Sequence, residues 1–153
     1  MIWEIVKAEA WHIPQIAKDM KPADVKEVWA SHGHTPKQAL EASLGRSAAA
    51  WTCLVNNVPS FMWGVAPAGS LLGYKGCPWL LGSDSVKGLR YAFIRRCRKY
   101  VDLMQELYPV LENYVHKDNL TSIGWLIWCG FTLADEPEEY GVNSEMFYRF
   151  WRF

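Results

Sequence analysis

The chain has 153 residues, half of them apolar, with nine tryptophans and a 14% aromatic content. That composition suits one domain with a sizeable core and excludes a disordered chain. Sixteen basic and sixteen acidic side chains cancel, so bulk charge points to neither nucleic acid nor an anionic membrane, and no run reaches the roughly 18 apolar residues needed to span a bilayer.

The opening Met1-Ile-Trp-Glu-Ile-Val-Lys7 lacks the basic-then-apolar order of a secretory leader. Residues 2–7 are short, apolar and bounded by charge, which predicts a strand. Trp11, Ile13, Ile16 and Met20 recur at helical spacing. Pro22 suits the start of a second helix, with Val25, Val28 and Trp29 on one face. Ser31-His-Gly-His-Thr-Pro36 breaks the pattern, and Pro36 opens a third helix through Leu40 and Leu44 that Gly45 stops. Residues 48–55 and 60–67 are two strands around Asn56-Asn57-Val58-Pro59. Asn tolerates positive φ, so this is a hairpin turn. A Gly-rich loop follows over 66–76.

Trp79-Leu80-Leu81 predicts a buried strand, and Ser83-Asp84-Ser85 offers N-cap oxygens to a long helix. That helix places Val86, Leu89, Phe93, Cys97, Tyr100, Met104 and Leu107 on one stripe and Lys87, Arg95, Arg98 and Lys99 on the other. Pro109 ends it. Residues 110–115 form the next strand. Asn119 caps an apolar helix that Gly130 stops. A strand over 131–134, an acidic turn over 135–141 and an aromatic strand over 146–153 complete the chain. With no repeat or linker, residues 1–153 read as a single domain, a mixed sheet with helices on its faces. The four cysteines have no CxxC pair, so Cys53, Cys77, Cys97 and Cys129 read as buried free thiols of a reducing compartment.

Asn119, Ser122, Ile123, Trp125, Gly130 and Phe131 stand at the spacing that closes the core of the GCN5-related N-acetyltransferase (GNAT) superfamily, and the element order over nearly the whole chain resembles it. The resemblance implies an α+β fold: a mixed, mostly antiparallel sheet of six to seven strands flanked by four to five helices. A narrower resemblance is to GNAT-like proteins of tailed phages, related to the small internal virion protein of podophages. It is carried by Met20-Lys-Pro-Ala-Asp-Val-Lys-Glu27, Pro78-Trp-Leu-Leu-Gly-Ser-Asp84, Tyr108-Pro-Val-Leu-Glu-Asn113 and the segment 119–131. It implies a phage gene product, in the cytoplasm of an infected bacterium or packaged in the virion. Its partner would be an amine substrate or a virion protein.

The superfamily implies acetyl-CoA as cofactor, with pyrophosphate held on a helix N-terminus. The corresponding segment here is Gly82-Ser-Asp-Ser-Val-Lys-Gly-Leu-Arg-Tyr91. Gly88 can stand for one glycine of the usual motif. Arg90 replaces the second, and Asp84 puts a repelling charge near the mouth. Lys87 and Arg90 could supply phosphate charge from side chains instead. By helical phase Arg90 otherwise snorkels at the helix end. Leu80, Leu81 and Gly82 would offer backbone groups to pantetheine, and Asn119 and Ser122 would line the same gap. The customary Tyr acid is replaced by Leu126. Tyr91 and Tyr114 are substitutes, and no residue is assigned to catalysis. His32-Gly-His34 has no third ligand at a recognisable spacing, so no metal is expected. His116 and Asp118 read as an exposed turn or as part of the cleft. The basic face of the long helix reads as solvated rather than bound to nucleic acid. Two functions remain open. An N-acyltransferase predicts an open gap beside Leu80. An interaction protein that has lost the site predicts a gap plugged by Trp79, Trp125 and Trp128, with an exposed aromatic patch.

Overall fold

The computed structural model describes residues 2–69, 73–83 and 90–153, apart from the side chains of Arg90, Tyr91, Ala92 and Ile94. Strand β1 (Trp3–Lys7) leads into a 3-10 turn (Ala10–His12). Helices α1 (Ile13–Lys18), α2 (Pro22–His32) and α3 (Pro36–Arg46) follow. Strands β2 (Ala49–Val55), β3 (Val58–Pro67) and β4 (Lys75–Gly82) precede the long helix α4 (Arg90–Leu107). Then come β5 (Val110–His116), α5 (Leu120–Trp128), β6 (Thr132–Leu133), β7 (Glu138–Tyr140) and β8 (Glu145–Arg152).

Among the described residues the strands form one eight-stranded sheet in the order β1-β2-β3-β4-β5-β8-β6, with β7 also on β8. All pairings are antiparallel except β4 with β5. The short β7 lies inside the stretch read as an acidic turn. Pro22 and Pro36 sit in the first turns of their helices, where a missing N–H costs nothing. Thr35 and Gln38 cap α3 reciprocally, and the helix runs one residue past Gly45. The β2–β3 turn has both Asn56 and Asn57 at positive φ, 50° and 64°, the geometry that lets two residues reverse a twisted hairpin.

Period-two alternation along β3 splits the interior into two cores. Phe61, Trp63 and Val65 face α4 and α5, packing with Phe93, Cys97, Val101, Met104 and Leu126. Met62 faces the other way, against Ile13, Ile16, Val28 and Leu40 of the three early helices. Several expected inward residues point outward. Trp11, Val25, Trp29 and Leu107 are exposed. Leu107 is the last residue of α4, and Val101 joins the buried stripe. On α2 the interior instead receives Asp24, which is fully buried. No described helix is long and apolar enough to cross a membrane.

Candidate functional site

Strands β4 and β5 run parallel but pair only at Lys75 with Val110 and Gly76 with Leu111. Beyond those residues they part. The facing edges are satisfied by side chains and by α2. Asn113 Nδ2 donates to the Pro78 carbonyl at 2.9 Å. The Gly82 N–H donates to Asp24 Oδ2 at 3.1 Å, and the Gly82 carbonyl accepts from the Lys21 N–H at 2.9 Å. Pro78 and Gly82 therefore turn their polar groups into the gap. Ser83, one residue on, turns its N–H back to Ser60 at 2.9 Å. By the same alternation Leu80 presents its N–H and carbonyl to the gap.

A cleft of about 140 Å³ occupies this splay, lined by Leu80, Leu81, Tyr114, Ser122 and Trp125, with Glu27 reaching in from α2. Among the predicted site residues, Leu80, Leu81 and Ser122 thus come together. Gly82 stands at the end of β4 with both backbone groups engaged by α2 and its approach. Asn119 is buried and lies behind the cleft. Lys87 and Gly88 lie outside the described residues, as do the Ser83-Asp84-Ser85 cap beyond its first residue and the side chain of Arg90. Trp79 and Trp125 line the cleft without filling it. Trp128 is turned out under Arg98, whose guanidinium lies 5.0 Å from the ring centre.

A buried polar cluster sits behind Glu27. Lys21 Nζ pairs with Asp24 Oδ2 at 3.0 Å. Asn119 Nδ2 donates to Asp24 Oδ1 at 3.2 Å and to Glu27 Oε1 at 3.3 Å. The His116 N–H donates to Glu27 Oε1 at 2.7 Å. Both bonds to Glu27 fall on one oxygen, which leaves Oε2 outside them. Burial pushes the Glu27 carboxyl up to about 7, with the Asp24 charge acting in the same direction. The bonds from His116 and Asn119 and the charge of Lys21 oppose the shift without cancelling it. A half-buried carboxyl that titrates near neutral pH on a cleft wall is suited to taking a proton.

Sequence reasoning passed over Asp24 and Glu27. A signal was present: their three-residue spacing puts them on one face of α2, with Lys21 of opposite sign before them. His116 is buried, so the exposed-turn reading is corrected. The Asp118 N–H donates to its Nδ1 at 3.1 Å, which leaves Nε2 to carry the proton toward Glu145 Oε1 at 2.8 Å. The ring thereby ties the end of β5 to β8.

Tyr114 and Tyr140 stack at 4.0 Å on the same cleft wall. Burial holds both phenols above their ordinary value, helped at Tyr114 by Glu138 and Glu112, so both keep their protons at neutral pH. Leu126 is buried and offers no proton. A second cleft of about 340 Å³ adjoins the first and shares Val28, His32, Ser43, Trp79, Asn113 and Tyr140 with it. Among the described residues no three metal-ligating side chains converge.

No protein-family model and no curated protein sequence matches the chain. Solved structures do. A GCN5-related N-acetyltransferase from Kribbella flavida superposes with a TM-score of 0.70 at 14% identity, over 98% of this chain and 96% of that one. The chain has the GNAT fold. Spermidine N-acetyltransferase from Vibrio cholerae, solved with CoA and spermine, gives 0.68 at 11% identity over 98% and 94%. YncA from Salmonella typhimurium, solved with its cofactor acetyl-CoA, gives 0.65 at 14% over 99% and 92%. In this GNAT fold the parted β4 and β5, the Asn-capped α5 and the Gly130 turn at φ +86° are all present.

Proposed function

We propose that the chain is an acyl-CoA-dependent N-acyltransferase in which Glu27 is the general base. The observation that carries this is the Glu27 carboxyl, held near neutral on the wall of an open cleft where β4 and β5 part. The GNAT-fold structures solved with CoA or acetyl-CoA support the choice of cofactor. The fit is local. The Leu80 peptide faces the gap, and the cleft has room for an acyl group beside it. When bound, acetyl-CoA supplies an acyl thioester whose C–S bond is exchanged for a C–N bond to the acceptor. Leu80, Leu81 and Ser122 would hold the acyl end. Lys87, Gly88 and Arg90 are proposed for the phosphate end on sequence grounds alone, and Asn119 orients the carboxylates.

Glu27 Oε2 takes the proton from the acceptor amine, so that nitrogen presents a lone pair. Tyr114 or Tyr140, kept protonated, is the group able to return a proton to the departing sulfur. The test is CoA release from acetyl-CoA across an amine panel, for the native chain and Glu27→Gln. The variant should lose about 10²–10⁴-fold in kcat/KM. It should also lose the limb of the pH profile that rises through about 7. A variant within about twofold of the native chain at every pH sinks the assignment, on the scale of a general base's contribution.

The phage phrases at 20–27, 78–84 and 108–113 support a second, compatible reading: a tailed-phage gene product, held in the infected cell or carried in the particle. The outward Leu120, Ile127 and Trp128 of α5 favour an interaction role for it. Mass spectrometry of purified virions separates packaged protein from protein left in the host cytoplasm.

A further inference from the structure

The adjoining second cleft is lined by basic groups. Arg46 stands in the last turn of α3. His32 and His34 flank Gly33, whose φ of +69° turns the loop so that the two imidazoles stack at 5.6 Å. All three side chains line the cleft, and none of the described residues lining it is acidic. Among the described residues Arg46 makes no ion pair. Burial first, and then His34 and Arg46, hold the His32 imidazole below its ordinary value, so at neutral pH His32 offers a ring N–H rather than a charge. Much of the remaining wall is small, with Ala39, Ala42, Ala66 and Ala68 leaving space. The first cleft, which shares His32, Trp79 and Tyr140 with this one, also holds a carboxylate, that of Glu27. Arg46 and His34 therefore line only the second cleft and Glu27 only the first, with His32 on both.

We propose that the acceptor is a small amine bearing an anionic group, a carboxylate or a phosphate, with the anion seated at Arg46, His32 and His34 and the amine directed to Glu27. This rests on the reading of Glu27 as the base. A polyamine would instead set its second cation against Arg46, where like charges repel. The cleft falls in the roughly 300–1,000 Å³ range that small ligands occupy, so a small molecule fits it.

The proposal is tested by CoA release with 3-aminopropylphosphonate, 4-aminobutyrate, propylamine and spermidine as acceptors. The two anionic amines should exceed propylamine by about tenfold or more in kcat/KM, the scale of one partly desolvated charge contact. Arg46→Glu, at an exposed position, should bring the anionic amines down to propylamine or below, because propylamine carries no anion for Arg46 to hold. Propylamine or spermidine matching the anionic amines overturns it, and Glu27→Gln tested on the same panel reports on the base separately. Where no amine releases CoA, the base reading fails by itself, and the anion seat is read by NMR. Imidazole signals of His32 and His34 that titrate together with 3-aminopropylphosphonate, and do not in Arg46→Glu, support the seat. Signals that stay put overturn it.

Discussion

Replacing Glu27 with Gln should make the protein more stable and less active at once. The carboxyl is raised from 4.5 to about 7 on folding. Between those values the folded state holds a proton that the unfolded chain has released, so stability falls as pH rises through the interval. A shift of that size corresponds to roughly 3 kcal/mol at about 1.4 kcal/mol per unit, an upper figure because the group is half-buried. Gln retains the oxygen that accepts from the His116 N–H and Asn119 Nδ2, so the variant keeps the bonds and sheds the buried charge. Urea unfolding at pH 4.5, 6, 7 and 8 is the assay. The native chain and the variant should agree at the lowest pH and diverge steadily, with the variant ahead by up to about 3 kcal/mol at pH 8, or roughly 6–12 °C in Tm. A difference that is flat with pH, or that favours the native chain at pH 8, refutes the buried-carboxylate argument.

Asp24→Ala leaves Lys21 without its partner and strips acceptors from the Gly82 N–H and Asn119. It should cost about 3–5 kcal/mol in the same denaturation experiment. Gly82→Ala would drive a methyl into Phe61 Cβ and to 2.6 Å from Phe61 Cα. A loss of about 3 kcal/mol, with a shifted near-ultraviolet spectrum from the packed aromatics, is expected. Tyr140→Phe preserves the stack on Tyr114 but removes a phenolic proton, so kcat should fall about tenfold with KM and Tm little changed. Burial pushes the Cys53 thiol up to about 12 and raises that of Cys97. In the native protein the half-buried Cys77 should be the first to react with a disulfide reagent, read by mass spectrometry after brief exposure at pH 8.

Local signals in the sequence were reliable where the physics is local. The Asn56-Asn57 turn, the prolines that open α2 and α3, and the Asn119 cap each depend on a few adjacent residues, and each is found where its chemistry requires. The fold followed from these together with the spacing of segment 119–131. The base candidate was hidden because apolar periodicity treats Asp24 and Glu27 as a solvent face. What draws them inward is supplied from far along the chain: Gly82 lies 58 residues from Asp24, and Asn119 lies 95. No window of sequence contains both halves of that cluster. The apolar spacing puts Val25 and Trp29 inside for the same reason, but α2 buries Asp24 and Val28 and leaves the other two exposed. His116 looked like part of an exposed turn because its acceptor, Glu145, belongs to the last strand.

The two-residue pairing of β4 with β5 makes the sheet two plates joined along a short hinge, β1 to β4 on one side and β5 to β8 on the other. Helix α2 is the spacer between them. Through Asp24 and the Lys21 backbone it holds the tip of the first plate, and through Glu27 it holds the tip of the second. The gape is therefore set by a helix that belongs to neither plate. Glu27 Oε1 is one of these tethers, so the proposed base also helps to set how wide the cleft stands.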